Sequence, residues 1–284
     1  MDDERFLVLY RLVMELSPPR AKRCQYSDGY ILAVYLWSVI RNKPMNWACD
    51  PRNAPAALRG RPLPSDSRMS RRLSTLPVAR LLARAILTLQ QRLLVTTTLV
   101  GCWVIDAMGL AVNPFSKDKA AKRGYCRGGK ARGYKLFLLI DAAGIPVAWF
   151  VDSMNVAEQA IAMTMLPFID RPGYLLGDSI YDSNALFEAA RLRQLQLVAP
   201  RKTPYGNIGR RATDEARLHA IAMLETLHAD GWHLYKRRTA IERRFARLTA
   251  EAVGLTHLPG FVRTPKRVRR WIDAKMLLQF SLEI

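Results

Sequence analysis

Two short runs constrain this chain more than any other feature. LVGCWVIDAM (residues 99–108) and GYLLGD (residues 173–178) are uninterrupted apolar stretches, each meeting an aspartate at or near its end. A strand with one wet face alternates apolar and polar residues, so a continuous run of this length reads as a strand buried on both faces. YKLFLLI, DAAG and IPVAWFVD (134–152) read as two strands joined by a tight turn. EQAIAMTMLPFI (158–169), SNALFEAARLRQL (183–195, with Ser183 as cap) and DEARLHAIAMLETLHA (214–229) read as helices, and QLVAP (196–200) as a further strand. Strands first, then helices alternating with strands, specify an α/β fold: a mixed sheet with flanking helices.

The first 98 residues follow a different pattern. FLVLYRLVMEL, GYILAVYLWSVI and VARLLARAILTLQQRLL repeat apolar residues at three- and four-residue spacing, the period of a helix, with prolines between them. The expected organisation is therefore a small all-helical domain over 1–98 ahead of an α/β domain over 99–284.

Charge narrows the partners. The 284 residues carry 44 Lys+Arg against 24 Asp+Glu, a net charge of +20 with a pI near 10.3. The excess is shared, +9 over residues 1–98 and +11 over the remainder. A field of that sign implies a polyanion, nucleic acid before an anionic membrane surface. No apolar run approaches the roughly 18 residues that span a bilayer, and the acidic MDDERF start is unlike a secretory leader. The expectation is a cytoplasmic, nucleoid-associated protein with no membrane partner. Cys24, Cys49, Cys102 and Cys126 form no CxxC pair and show no zinc spacing with the four histidines.

Asp106 and Asp178 end buried-strand runs, and the carboxyl ends of strands are where α/β sheets form ligand sites. Two buried carboxylates close together are costly unless they share a cation. A third acid, Glu242, stands in YKRRTAIERRFARL (235–248) among six basic residues. As a helix, that stretch brings Tyr235, Arg238, Glu242 and Thr249 onto one stripe, beside an apolar stripe of Ile241, Phe245, Leu248 and Ala252. Arg238 and Glu242 also have the spacing of a simple helical ion pair, worth about 0.2–0.5 kcal/mol. Two aspartates and a glutamate are hard oxygen donors that suit Mg²⁺ or Mn²⁺. Asp141 is expected to serve the hairpin turn, and Asp182 to be a local structural acid.

These residues resemble the DDE transposases of bacterial insertion sequences, specifically the group whose third acid lies in Y-x(2)-R-x(3)-E-x(6)-K. Tyr235, Arg238 and Glu242 match at that spacing, and Thr249 stands where the signature has lysine. GDSIYDS around Asp178 is similar to the family's D-x-x-Y-D motif, VIDAMG to its first-acid strand, and KLFLLIDAAGIPVAWFVDSMNVAEQ to the hairpin that follows. The resemblance covers residues 99–282. It implies an RNase H-like fold with Asp106 on the first strand, Asp178 after the fourth and Glu242 on a helix. It also implies two Mg²⁺ (or Mn²⁺) ions held by Asp106, Asp178 and Glu242, with Tyr235 and Arg238 touching DNA, and at least a homodimer when two transposon ends are joined. The sequence between Asp178 and Glu242 is mainly helix-like, so no large β insertion is expected there.

Other segments suit double-stranded DNA. SKDKAAKRGYCRGGKARGYK (116–135) holds eight Lys/Arg and one Asp beside the first strand and reads as a phosphate-contacting loop with Lys130 and Arg132, while Tyr125 and Tyr134 could stack on an unpaired base. LPSDSRMSRRLSTL (63–76) reads as a recognition helix of a possible helix-turn-helix, capped by Ser65 or Ser67 and presenting Arg68, Arg71 and Arg72; the alternative is a basic helix serving packing alone. VRTPKRVRRWIDAKMLLQF (262–280) reads as a basic helix with Trp271, Met276 and Leu277 inward and its arginines outward. The favoured reading is a transposase that cleaves and transfers DNA strands. The rivals are an inactive or domesticated relative that only binds DNA, and a Mg²⁺ nuclease without strand transfer.

Overall fold

The computed structural model describes residues 1–20, 22, 24–94, 101–126, 129–203, 213–225 and 228–284. The chain divides into two compact units, one comprising 1–96, 115–118 and 247–284, the other 97–114 and 119–246.

The first unit is helical: α1 (Asp2–Leu16), α2 (Asp28–Ile40), α3 (Met45–Ala48), α4 (Asp66–Leu73), α5 (Leu76–Leu94) and, from the far end of the sequence, α11 (Pro265–Ser281). α2 is apolar on every side and every residue from Gly29 to Ile40 is buried, which makes it the central element. Ser27 caps it by accepting from the Tyr30 amide. The two-part division at residue 98 is thus replaced by one in which residues 247–284 belong with the amino-terminal helices. The reason lies in α11, where Trp271, Ile272, Met276, Leu277, Leu278 and Phe280 are all buried and need apolar helices around them.

Inside this helical core sits Lys275, 0% exposed. Its Nζ donates to the Val39 carbonyl at 2.9 Å, to Asn42 Oδ1 at 2.6 Å and to the Val253 carbonyl, so its three hydrogens are all used. Burial pushes its pKa down to about 7. Arg270 also turns inward, donating to the Leu73 carbonyl at 2.7 Å and lying over the Tyr35 ring; the expectation that the α11 arginines all face solvent fails at that residue.

The second unit is built on six strands: β1 (Cys102–Ala111), β2 (Lys122–Cys126), β3 (Gly129–Asp141), β4 (Pro146–Ser153), β5 (Gly173–Leu176) and β6 (Leu195–Val198). The order is β2-β3-β1-β5-β6, with β4 also paired to β3. β1, β3 and β4 are antiparallel, while β5 and β6 run parallel to β1. This is a mixed, curled, RNase H-like sheet with flanking helices, as the resemblance implied. Five helices complete the path: α6 (Glu158–Met165), α7 (Asn184–Arg191), α8 (Glu215–Glu225), α9 (His228–Tyr235) and α10 (Thr239–Thr249). Ser183 caps α7 through the Leu186 amide. The described residues between Asp178 and Glu242 are α7, β6, α8, α9 and short turns.

One face of the sheet (Trp103, Ile105, Phe137, Leu139, Leu175, Leu197) closes on α6, α7 and α8 through Ala162, Met165, Leu186, Phe187, Ala190 and Ala220. Full burial of each larger apolar side chain contributes about 1.5–3 kcal/mol. Asp141 Oδ1 accepts from the Ala143 and Ile145 amides and so builds the β3–β4 turn, where Gly144 takes φ of +80°. At Gly173 a Cβ would lie 1.9 Å from the Gly101 carbonyl oxygen, so only glycine lets β5 start beside β1.

The segment 116–135 is more ordered than the expected loop: 122–126 and 129–133 pair as an antiparallel ribbon. Among the described residues no helix is long and apolar enough to cross a membrane.

Candidate active site

β1 and β5 align Cys102 with Tyr174 and Val104 with Leu176. Asp106 and Asp178 each lie two residues past that last pair, so the parallel register brings the two acids to the same level. Alternation along β1 sends Asp106 to the face opposite the Ile105 core, the face of Val104. Asp178 ends its run by capping a single 3-10 turn, Ser179–Tyr181, with Oδ1 accepting from the Ile180 amide at 2.8 Å.

The third expected acid arrives by a less regular route than one continuous helix. Tyr235 is the last residue of α9, Arg238 ends a 3-10 turn over Lys236–Arg238, and Glu242 lies in the first turn of α10. The tighter turn rotates Arg238 relative to a pure α-helix. Ile241, Arg244 and Leu248 of α10 are buried, and Arg244 ties the helix to the β3–β4 turn by donating from Nε to the Gly144 carbonyl at 2.7 Å. Phe245, expected in the apolar stripe, is only half-buried, and Arg244 takes an inward place the sequence did not suggest.

Arg238 links the acids. Its Nη1 lies 3.0 Å from Asp106 Oδ2 and its Nη2 lies 3.3 Å from Glu242 Oε1. Glu242 is 60% exposed, so its half of the arrangement is worth little by itself. Asp106 is mostly buried, and its carboxyl is pushed up to about 6. Desolvation is the main cause, Asp178 and Glu158 add to it, and the Ala107 amide and Arg238 oppose it. Burial works against the Arg238 charge, and Tyr235, Asp106, Glu242 and Asp178 together more than compensate, so its pKa is raised. Tyr235 packs edge-on to Trp232, and burial raises its hydroxyl pKa.

Asp106 and Asp178 are thus brought to the same level, with Glu242 tethered to Asp106 through Arg238. Among the described residues, no group of three or more His, Cys, Asp or Glu side chains stands close enough to hold a metal ion. Asp106 and Asp178 form a carboxylate pair neutralised in part by the Arg238 guanidinium. That pair still fits a hard divalent cation: Mg²⁺ is commonly held by one or two carboxylates and completes its shell with water and substrate phosphate. The cost of burying the Asp106 charge, to which the neighbouring Asp178 charge adds, is what such a cation would relieve.

One residue near the acids was not singled out from sequence. Glu158, the first residue of α6, pairs with Lys135 of β3 at 2.6 Å, both about a tenth exposed. Lys135 had been counted with the phosphate-binding segment. Its parity with Phe137 and Leu139 on an apolar strand was the available sign that it points inward. Asp182 has a structural role: it accepts from Arg217 at 2.7 and 2.9 Å and from the Lys202 amide at 3.0 Å.

The remaining candidates separate by exposure. Lys130 lies on the ribbon with Nζ 5.1 Å from the centre of the Tyr125 ring, which is 68% exposed. Arg132 is half-buried and donates to the Ala121 carbonyl. Tyr134 is buried, which removes it as a stacking platform. In the helical unit, Ser65 caps α4 through the Arg68 amide. Arg68 bonds Gln25 and lies over Tyr26, and Arg72 pairs with Asp28 at 2.6 Å, so both serve packing within the unit. Arg71 is exposed.

A family model described as "Transposase DDE domain" matches residues 102–277, well over half of the chain. No curated protein and no solved structure matches the sequence. The match spans β1 with Asp106, the turn after β5 with Asp178 and the helix with Glu242, and by it the chain belongs to the DDE transposase family.

Proposed function

We propose that this transposase cleaves DNA at the terminal inverted repeats of an insertion sequence and transfers the freed strand to target DNA, using Asp106, Asp178 and Glu242. The observation that carries the reading is the placement of Asp106 and Asp178 each two residues past the last β1–β5 pair, with Arg238 joining Asp106 to Glu242. Asp106 and Asp178 would hold Mg²⁺ or Mn²⁺, and Glu242 would complete the set for two ions. The chemistry such a cation would supply is activation of a water or 3′-hydroxyl and stabilisation of the leaving 3′-oxygen in an in-line displacement.

The protein's own groups do the rest. Arg238, charged and half-buried, attracts a backbone phosphate into the site; bonded to phosphate, it releases Glu242 toward the two aspartates. Tyr235, at the end of α9, stands beside Arg238. Lys130 and Tyr125 on the ribbon, with the wider basic surface, hold the duplex through its phosphates. Arg71 is the α4 residue best placed to reach bases. Joining two ends calls for at least two copies of the chain in the synaptic complex, and the work is done at the nucleoid.

Two observations favour the binding-only alternative: Glu242 is already paired with an arginine, and Thr249 replaces the signature lysine. The deciding experiment incubates the protein and Mn²⁺ with DNA carrying the ends of the element that encodes it. End-specific nicks followed by joined products are expected. Nicks without joining would indicate a nuclease, and tight binding without nicks an inactive relative.

A further inference from the structure

We infer that Glu158 and Tyr181 are positioning residues that set where Asp178 stands relative to Asp106. The inference rests on the catalytic reading of those two aspartates. Tyr181 is fully buried among Leu186 and Phe187, and its hydroxyl donates to Glu158 Oε2 at 3.3 Å. The other carboxylate oxygen of Glu158 accepts from Lys135 Nζ at 2.6 Å. Tyr181 closes the turn that Asp178 opens, with the Tyr181 amide donating to the Asp178 carbonyl at 3.1 Å. The next residue of α6 grips the same turn: Gln159 Nε2 donates to the Ile180 carbonyl at 2.6 Å.

Two consecutive residues of one helix thus hold two consecutive residues of the turn that carries Asp178. The anchor at the other end is the sheet. Lys135 stands opposite Gly109 of β1, on the strand that pairs along the whole length around Asp106. The bonds therefore run from the strand beside Asp106, through Lys135, Glu158 and Tyr181, to the backbone of Asp178. A buried ion pair is a poor way to gain stability, since a well-packed apolar pair often does as well or better. What it does supply is direction. A carboxylate with both oxygens engaged can occupy one orientation, and so can the phenol bonded to it. Partners that orient a ligand in this way typically change metal affinity 10- to 100-fold.

The test uses the full-length protein and manganese chloride. Mn²⁺ is titrated while melting temperature and water-proton relaxation are followed, for the wild type and for Tyr181→Phe, Glu158→Gln and Gln159→Ala. Tyr181→Phe keeps the buried ring and removes only the hydroxyl. We expect it to melt within a few degrees of wild type without metal, and its Mn²⁺ midpoint to rise about tenfold. Gln159→Ala, at the surface, should move the midpoint the same way by less. Cleavage by Tyr181→Phe should recover at high Mn²⁺, whereas Asp178→Ala should stay inactive at any concentration. An unchanged midpoint in Tyr181→Phe, with wild type responding normally, overturns the inference alone. Loss of the Mn²⁺ response in Glu158→Gln with a wild-type response in Tyr181→Phe also overturns it, because Glu158 would then be a ligand itself. Absence of any Mn²⁺ response in the wild type would sink the catalytic reading, and this inference with it.

Discussion

Asp106→Asn should make the metal-free protein more stable. The carboxyl of Asp106 is pushed from the usual 3.8 up to about 6, chiefly by burial, with the Asp178 and Glu158 charges adding to it. Between pH of about 4 and 6 the folded form therefore keeps a proton that the unfolded chain has already lost. Stability falls as pH rises through that window and is flat above it. A rise of about two units corresponds to roughly 3 kcal/mol of destabilisation carried at neutral pH. Asparagine keeps the shape and removes the charge, but it has one acceptor oxygen for the two donors, the Ala107 amide and Arg238, and the lost bond offsets about 1 kcal/mol. The net gain should be about 1–2 kcal/mol, or roughly 2–8 °C in melting temperature for a chain of this size. The assay is a thermal melt followed by circular dichroism in EDTA at pH 7.5 and pH 5. Wild type should gain stability at the lower pH through this group, and the variant should gain less. A lower melting temperature for Asp106→Asn at pH 7.5 would refute the reasoning, since it would mean that the charge is stabilising where it stands.

Asp178→Ala and Glu242→Ala should each abolish end-specific nicking in a gel assay and leave DNA affinity within about threefold, because neither is a phosphate-contacting cation. Neutralising Lys130 should weaken binding to all sequences alike and reduce the salt dependence of log K by about one unit per lost phosphate contact, read from a salt titration. Arg71→Ala should reduce the preference for terminal-repeat over random DNA in competition binding. Arg72→Ala should instead cost about 1–3 kcal/mol of stability in urea denaturation, because it strips the half-buried Asp28 of its partner.

The division between what was legible in the sequence and what was not follows the range of the interactions. Strand runs, helix periods and caps are local, so the buried strand runs that carry Asp106 and lead to Asp178, Ser183 at the start of α7, Ser65 at the start of α4 and the Asp141 turn could all be read from neighbouring residues, although β1 continues to Ala111 and leaves Asp106 inside the strand, not at its end. The family motif likewise depends on spacing alone. Partners are another matter, because a side chain's partner depends on which distant element faces it. Lys135 was one of eight basic residues in a run until the sheet turned it toward Glu158, 23 positions away. Lys275 and Arg244 carry the same charge as their exposed neighbours, and only packing against backbone carbonyls 236 and 100 positions away made them interior. α11 looked like the end of the α/β domain until its apolar faces were seen to need the amino-terminal helices. Arg238 and Glu242 were legible as a pair four residues apart. That the same guanidinium would reach Asp106, 132 positions away, depended on the path of α9 and α10 over the sheet, which no local pattern encodes.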